Sequence, residues 1–176
     1  MSTENSPEYK TLTVEVLTPE AFAPFGEVVQ ADGSPWFAIN SGTTKRFHRL
    51  SVADVQGEGA QVAISLFQGD PFHLPLEIRM LERHPLGSQC FLPMNGAPCL
   101  VVVAPPGSDR PDESQLRAFF VRGDQGLSYR RGTWHHPLMS LGQAGQFAVI
   151  DRTGPGHNCD EVDLQRPYRV EQLPEQ

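Results

Sequence analysis

The residues with the most reactive side chains form two clusters about fifty residues apart. Glu82, Arg83 and His84 are consecutive in the first cluster, and the second contains His135. Alternate residues of a β-strand share a face, so Glu82 and His84 are predicted to point one way and Arg83 the other. Imidazole titrates near neutral pH, and imidazole with carboxylate binds Zn, Ni, Fe or Mn. The two clusters therefore indicate acid–base catalysis or a divalent metal site.

Each of these side chains also has an ordinary structural interpretation. A single histidine is more often structural than catalytic, and Glu82 with Arg83 can be a solvated pair on a strand. His135 and His136 are adjacent, so on an extended strand one points inward and the other does not. The occurrence of two histidine clusters at a matching spacing favours the functional interpretation for His84 and His135.

Composition restricts the class of protein that contains these clusters. A chain of 176 residues with 39% hydrophobic and 20% charged residues is typical of one globular domain with a buried core. The 16 glycines and 16 prolines favour a turn-rich β fold over a helical bundle. A net charge of -7 argues against non-specific binding to nucleic acid or to an anionic membrane.

Cysteine usage and the N-terminal sequence indicate a cytoplasmic protein. Cys90, Cys99 and Cys159 form no CxxC pair, which predicts reduced thiols rather than disulfides or a zinc knuckle. The N terminus lacks the apolar core of a signal peptide, and no apolar run approaches the length of a membrane span. We expect residues 1–9 to be a frayed tail and residues 10–170 to form a single domain.

The hydrophobic pattern predicts about ten short strands and almost no helix. Residues 100–104 form a continuous apolar run of strand length, and Thr18 followed by Pro19 predicts a short helix through Ala23. Many short strands separated by turns are typical of a sandwich or a barrel. In two predicted strands the alternation places apolar residues on one face: Leu12, Val14 and Val16 in residues 11–17, and Val62, Ile64 and Leu66 in residues 61–67.

A polar hairpin is predicted where the extended runs 36–40 and 47–52 flank a turn. It carries Asn40, Arg46 and His48, which can all hydrogen-bond an anionic ligand. The alternative is a polar surface hairpin that binds no ligand, and the residues alone do not separate the two interpretations.

The two clusters have the spacing of the two motifs of cupin-type jelly rolls. This likeness implies an all-β, cupin-like double-stranded β-helix, or jelly-roll barrel, with a few short helices. Glu82, His84 and His135 can then hold a metal ion, with Gln89 as a poor fourth ligand, which is a weaker set than the standard cupin ligands. The first motif (His-x-His, Glu, Gly) corresponds to Glu82-x-His84, Gln89 and Gly96, and the second (Pro-x-Gly-x-x-His) corresponds to Arg130-x-Gly132-x-x-His135.

Longer stretches of the chain resemble the ureidoglycolate lyase family of purine breakdown, whose members were once described as hydrolases. The similarity runs from about residue 12 to residue 165, nearly the whole domain. The stretches that carry it are residues 37–40 with 46–48, 82–89 with 93–96, 116–119, 125–129, 134–138, and 151–152 with 158–160.

This resemblance implies a homodimer that cleaves (S)-ureidoglycolate to glyoxylate and urea. It also raises nickel as a candidate metal, and another divalent ion remains open. Cleavage requires a base for the carbinol proton and an acid for the departing urea nitrogen, and we expect His84 and His135 to serve as these groups. Glu82 is expected to orient one of them or to bind the metal.

The substrate also needs a cation for its carboxylate and partners for its urea amide. We expect Arg46 or Arg152 to bind the carboxylate, because a guanidinium donates two parallel hydrogen bonds to it. Asn40 and Gln89 are predicted to contact the amide.

Three alternatives remain open at this point. The first is a ureidoglycolate hydrolase, which releases ammonia and CO2 from the same substrate. The second is another metal-dependent cupin enzyme, such as a dioxygenase or isomerase, that acts on a small carboxylic acid. The third is a non-catalytic cupin that binds a small molecule.

Overall fold

The computed structural model describes residues 9–175 as an all-β structure with one short α-helix, α1 (Pro19–Phe22). The predicted frayed tail, residues 1–9, lies outside these residues except for Tyr9. Among the described residues, no helix has the length and hydropathy needed to cross a membrane. The strands are β1 (Lys10–Thr11), β2 (Val14–Val16), β3 (Gly26–Val29), β4 (Phe37–Ile39), β5 (Thr44–Arg46), β6 (Gln61–Gly69), β7 (Leu76–Arg83), β8 (Gln89–Pro93), β9 (Cys99–Ala104), β10 (Arg117–Val121), β11 (Gly126–Tyr129), β12 (Trp134–His135), β13 (Met139–Ser140), β14 (Gly145–Thr153) and β15 (Asp160–Val170), with 3-10 turns at Asn40–Gly42 and Glu113–Gln115.

Two sheets build the barrel. The larger has the order β1-β15-β7-β12-β9-β10-β2 with β13 paired to β9, and the smaller has the order β3-β11-β8-β14-β6. β1 and β2 lie at opposite edges of the larger sheet, although only residues 12–13 separate them in the chain. The larger sheet therefore curls until its two edges meet at the N-terminal strand. The predicted all-β, cupin-like barrel is confirmed.

The apolar core has two parts, and β9 contributes to both. Every residue of β9 is buried, as expected for the continuous apolar run, because both of its faces are covered. One part lies inside the curled larger sheet, and the other lies between the two sheets. Leu100, Val102 and Ala104 point into the first part, whereas Cys99, Val101 and Val103 point into the second.

The N-terminal segment agrees only in part with the predicted strand over residues 11–17. The extended segment is interrupted between β1 and β2, and Val14 is buried whereas Val16 is 45% exposed. The chain then turns into α1, where the Thr18 hydroxyl accepts a hydrogen bond from the Ala21 N–H at 3.1 Å and Pro19 takes the first helical position. The helix start is confirmed as predicted.

The polar hairpin differs from the prediction, whereas β6 forms where it was predicted. The return strand of the polar hairpin is β5, residues 44–46, so the prediction of a return over residues 47–52 is wrong. β6 forms as predicted, but among residues 9–175 it is an edge strand that pairs only with β14. Its apolar side chains are consequently exposed: Val62 50%, Ile64 78% and Leu66 63%.

Candidate active site

The pairing of β12 with β7 brings the two reactive clusters together. His135 is directly opposite Glu82 in this antiparallel ladder. Glu82 Oε1 lies 3.4 Å from His135 Nε2 and 3.9 Å from His84 Nε2. One ligand atom from each of the three residues falls within 4.8 Å of the others. Residues far apart in the chain thus form one cluster, which we call the floor cluster (Glu82, His84, His135).

Backbone carbonyls orient both histidine rings of the floor cluster. His84 Nδ1 lies 2.8 Å from the Asn158 carbonyl oxygen, and His135 Nδ1 lies 3.0 Å from that of Thr133. A carbonyl only accepts hydrogen bonds, so each Nδ1 carries a proton and a neutral ring presents the lone pair of Nε2. This is the arrangement by which proteins orient metal-binding histidines.

Both Nε2 atoms are buried and have no hydrogen-bond partner within residues 9–175. Buried polar atoms are almost always satisfied, so two unsatisfied nitrogens facing one carboxylate indicate a site for a ligand or a cation. The His135 ring, when it carries a proton on Nε2, holds the pKa of the Glu82 carboxyl below its usual value, against the opposing effect of burial. The floor cluster therefore fits a divalent metal ion in donor type, orientation and charge.

A cavity of about 440 Å³ opens above the floor cluster, between the two sheets. Its walls are mostly apolar, and β6 forms one rim. Within the described residues, no lysine or arginine lines it. The lining residues are Leu66, Phe67, Gln68, Gly69, Glu82, Gln89, Phe91, His135, Pro137, Leu138, Ser140 and Phe147.

Gln89 lies at the start of β8 and is almost fully buried in this cavity. Its amide nitrogen donates to Asp151 Oδ2 at 3.1 Å. This bond fixes the side chain, so the amide oxygen of Gln89 is the atom left to accept from a ligand. Sequence reasoning identified Gln89 but did not pair it with Asp151, which becomes its neighbour only through the β8–β14 register.

Tyr129 is a site residue to which sequence reasoning assigned no role. Its ring stacks on His135 with centroids 4.3 Å apart and an interplanar angle of 15°. Its hydroxyl is buried without a partner in the described chain, and burial raises the pKa of the phenol well above its ordinary value. The alternation of β11 was the available signal, because it places Tyr129 on the same face as buried Leu127.

Comparison with known proteins shows the family of the chain. A family model described as ureidoglycolate lyase matches residues 9–171. The chain belongs to the ureidoglycolate lyase family. A protein named ureidoglycolate lyase from Rhizobium etli is 51% identical over 166 residues, covering 94% of this chain and 98% of that protein. Another of the same name from Pseudomonas fluorescens is 49% identical over 167 residues, covering 95% of this chain and 99% of that protein.

Among solved structures, RmlC from Streptococcus suis in complex with dTDP-D-xylose is similar over 85% of this chain and 74% of that chain. The TM-score is 0.42 and the sequence identity is 11%, a likeness too distant to support an inference about this family member.

Arg46 and Arg152, the two arginines predicted to bind a carboxylate, do not line the cavity. Arg152 is 8% exposed, and its three guanidinium nitrogens donate to the backbone carbonyls of Gln56, Gly154 and Pro155. Its donors therefore brace two loops. Arg83 faces away from the floor cluster, as predicted: it binds Asp160 at 2.8 Å.

Asn40 and Arg46 lie on the β4–β5 hairpin and not beside the floor cluster. Every residue from 36 to 46 is exposed or only partly buried. We call this hairpin, residues 36–46, the arm. Asn40 is at its tip and Arg46 is opposite Phe37 at its base. The structure thus brings together Glu82, His84, Gln89 and His135, and it leaves the other predicted residues apart.

Proposed function

We propose that this protein is a ureidoglycolate lyase that cleaves (S)-ureidoglycolate to glyoxylate and urea. The family membership and the near-complete coverage of relatives with that name support the proposal. The observation that carries it at the site is the pair of unsatisfied Nε2 atoms of His84 and His135, directed at the Glu82 carboxylate beneath a substrate-sized cavity.

The reaction moves one proton from oxygen to nitrogen. The carbinol O–H loses its proton, its electron pair forms the C=O bond of glyoxylate, and the C–N bond breaks. The electron pair of that bond stays on the urea nitrogen, which takes up a proton. One of His84 and His135 takes up the carbinol proton at Nε2 as the base, and the other, which enters the cycle protonated at Nε2, gives a proton to the urea nitrogen as the acid. Such assistance contributes about 10²–10⁴-fold, and a proton passed from the first ring to the second restores the starting state. Glu82 stabilises the imidazolium that exists between the two transfers.

The floor cluster has a second use that excludes the first. Glu82, His84 and His135 would hold a divalent ion, for which nickel is our candidate, and such an ion polarises a substrate oxygen. The same Nε2 lone pairs cannot hold an ion and accept a proton at once. Whether the turnover depends on metal therefore decides between the two roles for these histidines.

The Gln89 amide is positioned for the ureido group. Its nitrogen is bound to Asp151, so its oxygen can accept from a substrate N–H. The apolar walls formed by Phe67, Phe91 and Phe147 exclude water around the reacting carbon, which strengthens electrostatic interactions at the floor cluster.

The proposal includes a homodimer in the cytoplasm. Exposed apolar side chains on β6 support association, because a lone edge strand with Ile64 78% exposed is an aggregation hazard unless it is covered. The three cysteines are free thiols, which is consistent with a reducing compartment.

The experiment is a product assay on protein treated with chelator, with and without added nickel. Purified protein is incubated with (S)-ureidoglycolate, and glyoxylate, urea and ammonia are quantified. Glyoxylate with an equal amount of urea supports the lyase, and dependence on nickel assigns the floor cluster to metal binding. Glyoxylate with ammonia indicates the hydrolase. No glyoxylate in either condition contradicts the proposal and favours another cupin enzyme or a binding protein.

A further inference from the structure

The cavity offers no side-chain cation, within the described residues, for the carboxylate of the substrate. Within residues 9–175 its lining includes the acid Glu82 and no lysine or arginine. The guanidinium of Arg152 is engaged by three backbone carbonyls, and that of Arg83 lies between Asp160 and the Trp134 ring. Placing an anionic substrate beside the ionised Glu82 is unfavourable without a compensating positive charge.

The arm is a basic segment in an acidic protein. No aspartate or glutamate occurs between residues 32 and 54, although the chain carries a net charge of -7. Lys45 and Arg46 lie on the arm itself, and both residues are exposed. The arm therefore presents two exposed cations in a stretch of the chain that contains no acidic residue.

The arm has a defined shape despite its exposure. β4 and β5 pair in register, and the Thr43 hydroxyl donates to the Asn40 carbonyl at 2.8 Å. Asn40 and Ser41 adopt positive φ values of 52° and 56°, which are strained for residues other than glycine. A hairpin tip with such an ordered and strained backbone is typical of a segment that contacts another molecule.

Apolar groups on the arm also lack cover within the described chain. Trp36 is 51% exposed and Phe37 is 48% exposed. Lys45 lies 4.5 Å above the Trp36 ring and Arg46 lies 6.0 Å from the Phe37 ring, so each cation is positioned by an aromatic side chain. Aromatic residues combined with arginine are typical of interface centres.

A matching surface lies along β6 of the same chain. Ile64 and Leu66 are exposed on this strand, and one edge of its backbone is unpaired. Leu66 and Phe67 belong to the rim of the cavity, so a segment that crosses β6 reaches the cavity mouth. In a two-fold dimer the same two surfaces meet twice, arm to β6 and β6 to arm.

We propose that the arm of one subunit packs across β6 of a second copy and supplies Arg46, with Asn40, to the active site of that copy. Arg46 then binds the substrate carboxylate from the neighbouring subunit, and each site is complete only in the dimer. This inference rests on the proposed function for its substrate, and it places the predicted residues Asn40 and Arg46 in the site without moving the arm toward its own floor cluster.

The test is complementation between two impaired subunits, assayed at a substrate concentration well below the wild-type KM, where both homodimers are slow. The Arg46→Ala variant has an intact floor cluster, and the His84→Ala variant has an intact arm. Each is given a different affinity tag, the two are co-expressed, and heterodimers are isolated through both tags. If the arm acts on the neighbouring subunit, one of the two sites in the heterodimer is intact and glyoxylate formation returns to about half of the wild-type rate. If the arm acts on its own subunit, the heterodimer stays as slow as the Arg46→Ala homodimer or slower, which overturns the inference.

A second measurement separates this inference from the proposed function. Ile64→Asp places a charge on the exposed face of β6, where it changes no buried contact within the subunit. We expect monomers by light scattering, with an unchanged circular dichroism spectrum and loss of glyoxylate formation. Monomers with full activity would contradict the exchange of arms. Wild-type protein that forms dimers but produces no glyoxylate would instead remove the proposed function. The exchange of arms would then be tested by dimer stability, because Arg46→Ala should weaken the dimer if the arm is part of the interface.

Arg79→Ala serves as the matched control. Arg79 is an exposed arginine that pairs with Glu77 on β7, away from the cavity and the arm. It should leave both the dimer and the rate unchanged, so an effect of Arg46→Ala cannot be ascribed to the loss of one surface charge.

Discussion

The floor cluster and the arm differ in what holds their polar side chains in place. Glu82 and His135 face each other across paired strands, and carbonyl oxygens of the same chain orient His84 and His135. On the arm, Arg46 is positioned by Phe37 and by the hairpin itself, with no acidic partner among the described residues. The floor cluster is therefore complete within one chain, whereas the arm is an ordered hairpin whose charged and aromatic side chains are left exposed by the described chain.

We propose that this difference separates catalysis from substrate binding. Groups that move protons or hold a metal need fixed geometry, which a buried β-ladder provides. A group that binds the carboxylate can come from an exposed hairpin, since it acts through charge and two hydrogen bonds at the cavity mouth. Substitutions in the two regions should accordingly change different kinetic parameters.

The largest effect is expected for His84→Ala, which removes one of the two oriented Nε2 atoms. Turnover should fall by about 10²–10⁴-fold, whether the ring acts as an acid–base group or as a metal ligand. The thermal unfolding midpoint should change little, because His84 belongs to neither of the two apolar core clusters. The readout is glyoxylate formation at saturating substrate. His157→Ala is the matched control, because His157 is 73% exposed and paired with Asp160, and turnover retained in His84→Ala would remove the ring from the mechanism.

Arg152→Ala should act on stability rather than on binding. The substitution leaves the carbonyls of Gln56, Gly154 and Pro155 without their donors. Hydrogen bonds to a charged group contribute about 1.5–3 kcal/mol each, so losing three of them should lower the free energy of unfolding by at least about 3 kcal/mol. Denaturant titration measures this loss. An unchanged midpoint together with a raised KM would instead return Arg152 to the carboxylate site.

Arg46→Ala should show the opposite pattern. The side chain is exposed, so the free energy of unfolding of the subunit should stay within about 0.5 kcal/mol of the wild-type value. Loss of a charge-assisted pair costs about 1.5–3 kcal/mol, which predicts a KM raised about 10- to 100-fold with a smaller change in kcat. Arg46→Lys should restore part of the affinity, because it keeps the charge but loses the two-pronged geometry. Equal losses in Arg46→Ala and Arg79→Ala would point to general electrostatics.

The floor cluster was largely predictable because it depends on local rules. Alternation on an extended strand places Glu82 and His84 on one face, and adjacent histidines on a strand must diverge, so one of His135 and His136 points inward. The structure adds the register that sets His135 opposite Glu82. Such long-range pairing is not written in the periodicity of either strand.

The exposure of the β6 side chains and the partners of the Arg152 guanidinium were not predictable, for related reasons. Alternation shows that Val62, Ile64 and Leu66 share a face, but whether that face is buried depends on whether the strand is central or at an edge. The Arg152 guanidinium is engaged by loops that close over it only in the folded chain. Side chains whose partners come from distant segments escape reasoning based on neighbours in the sequence.

The smallest effect is expected for Tyr129→Phe, which asks whether the floor cluster extends beyond three residues. The phenol stacks on His135, and its hydroxyl is buried without a partner within residues 9–175. Phenylalanine keeps the stacked ring and removes an unsatisfied group, so the free energy of unfolding should stay the same or rise by up to about 1 kcal/mol. Burial raises the pKa of this phenol, so the hydroxyl stays protonated and can donate to a bound ligand. Loss of one such neutral hydrogen bond should lower kcat/KM by about tenfold or less. If stability falls instead, the hydroxyl has a structural partner and Tyr129 belongs to the framework. If stability holds while kcat/KM drops, Tyr129 is part of the site that one chain forms by itself, unlike the residues of the arm.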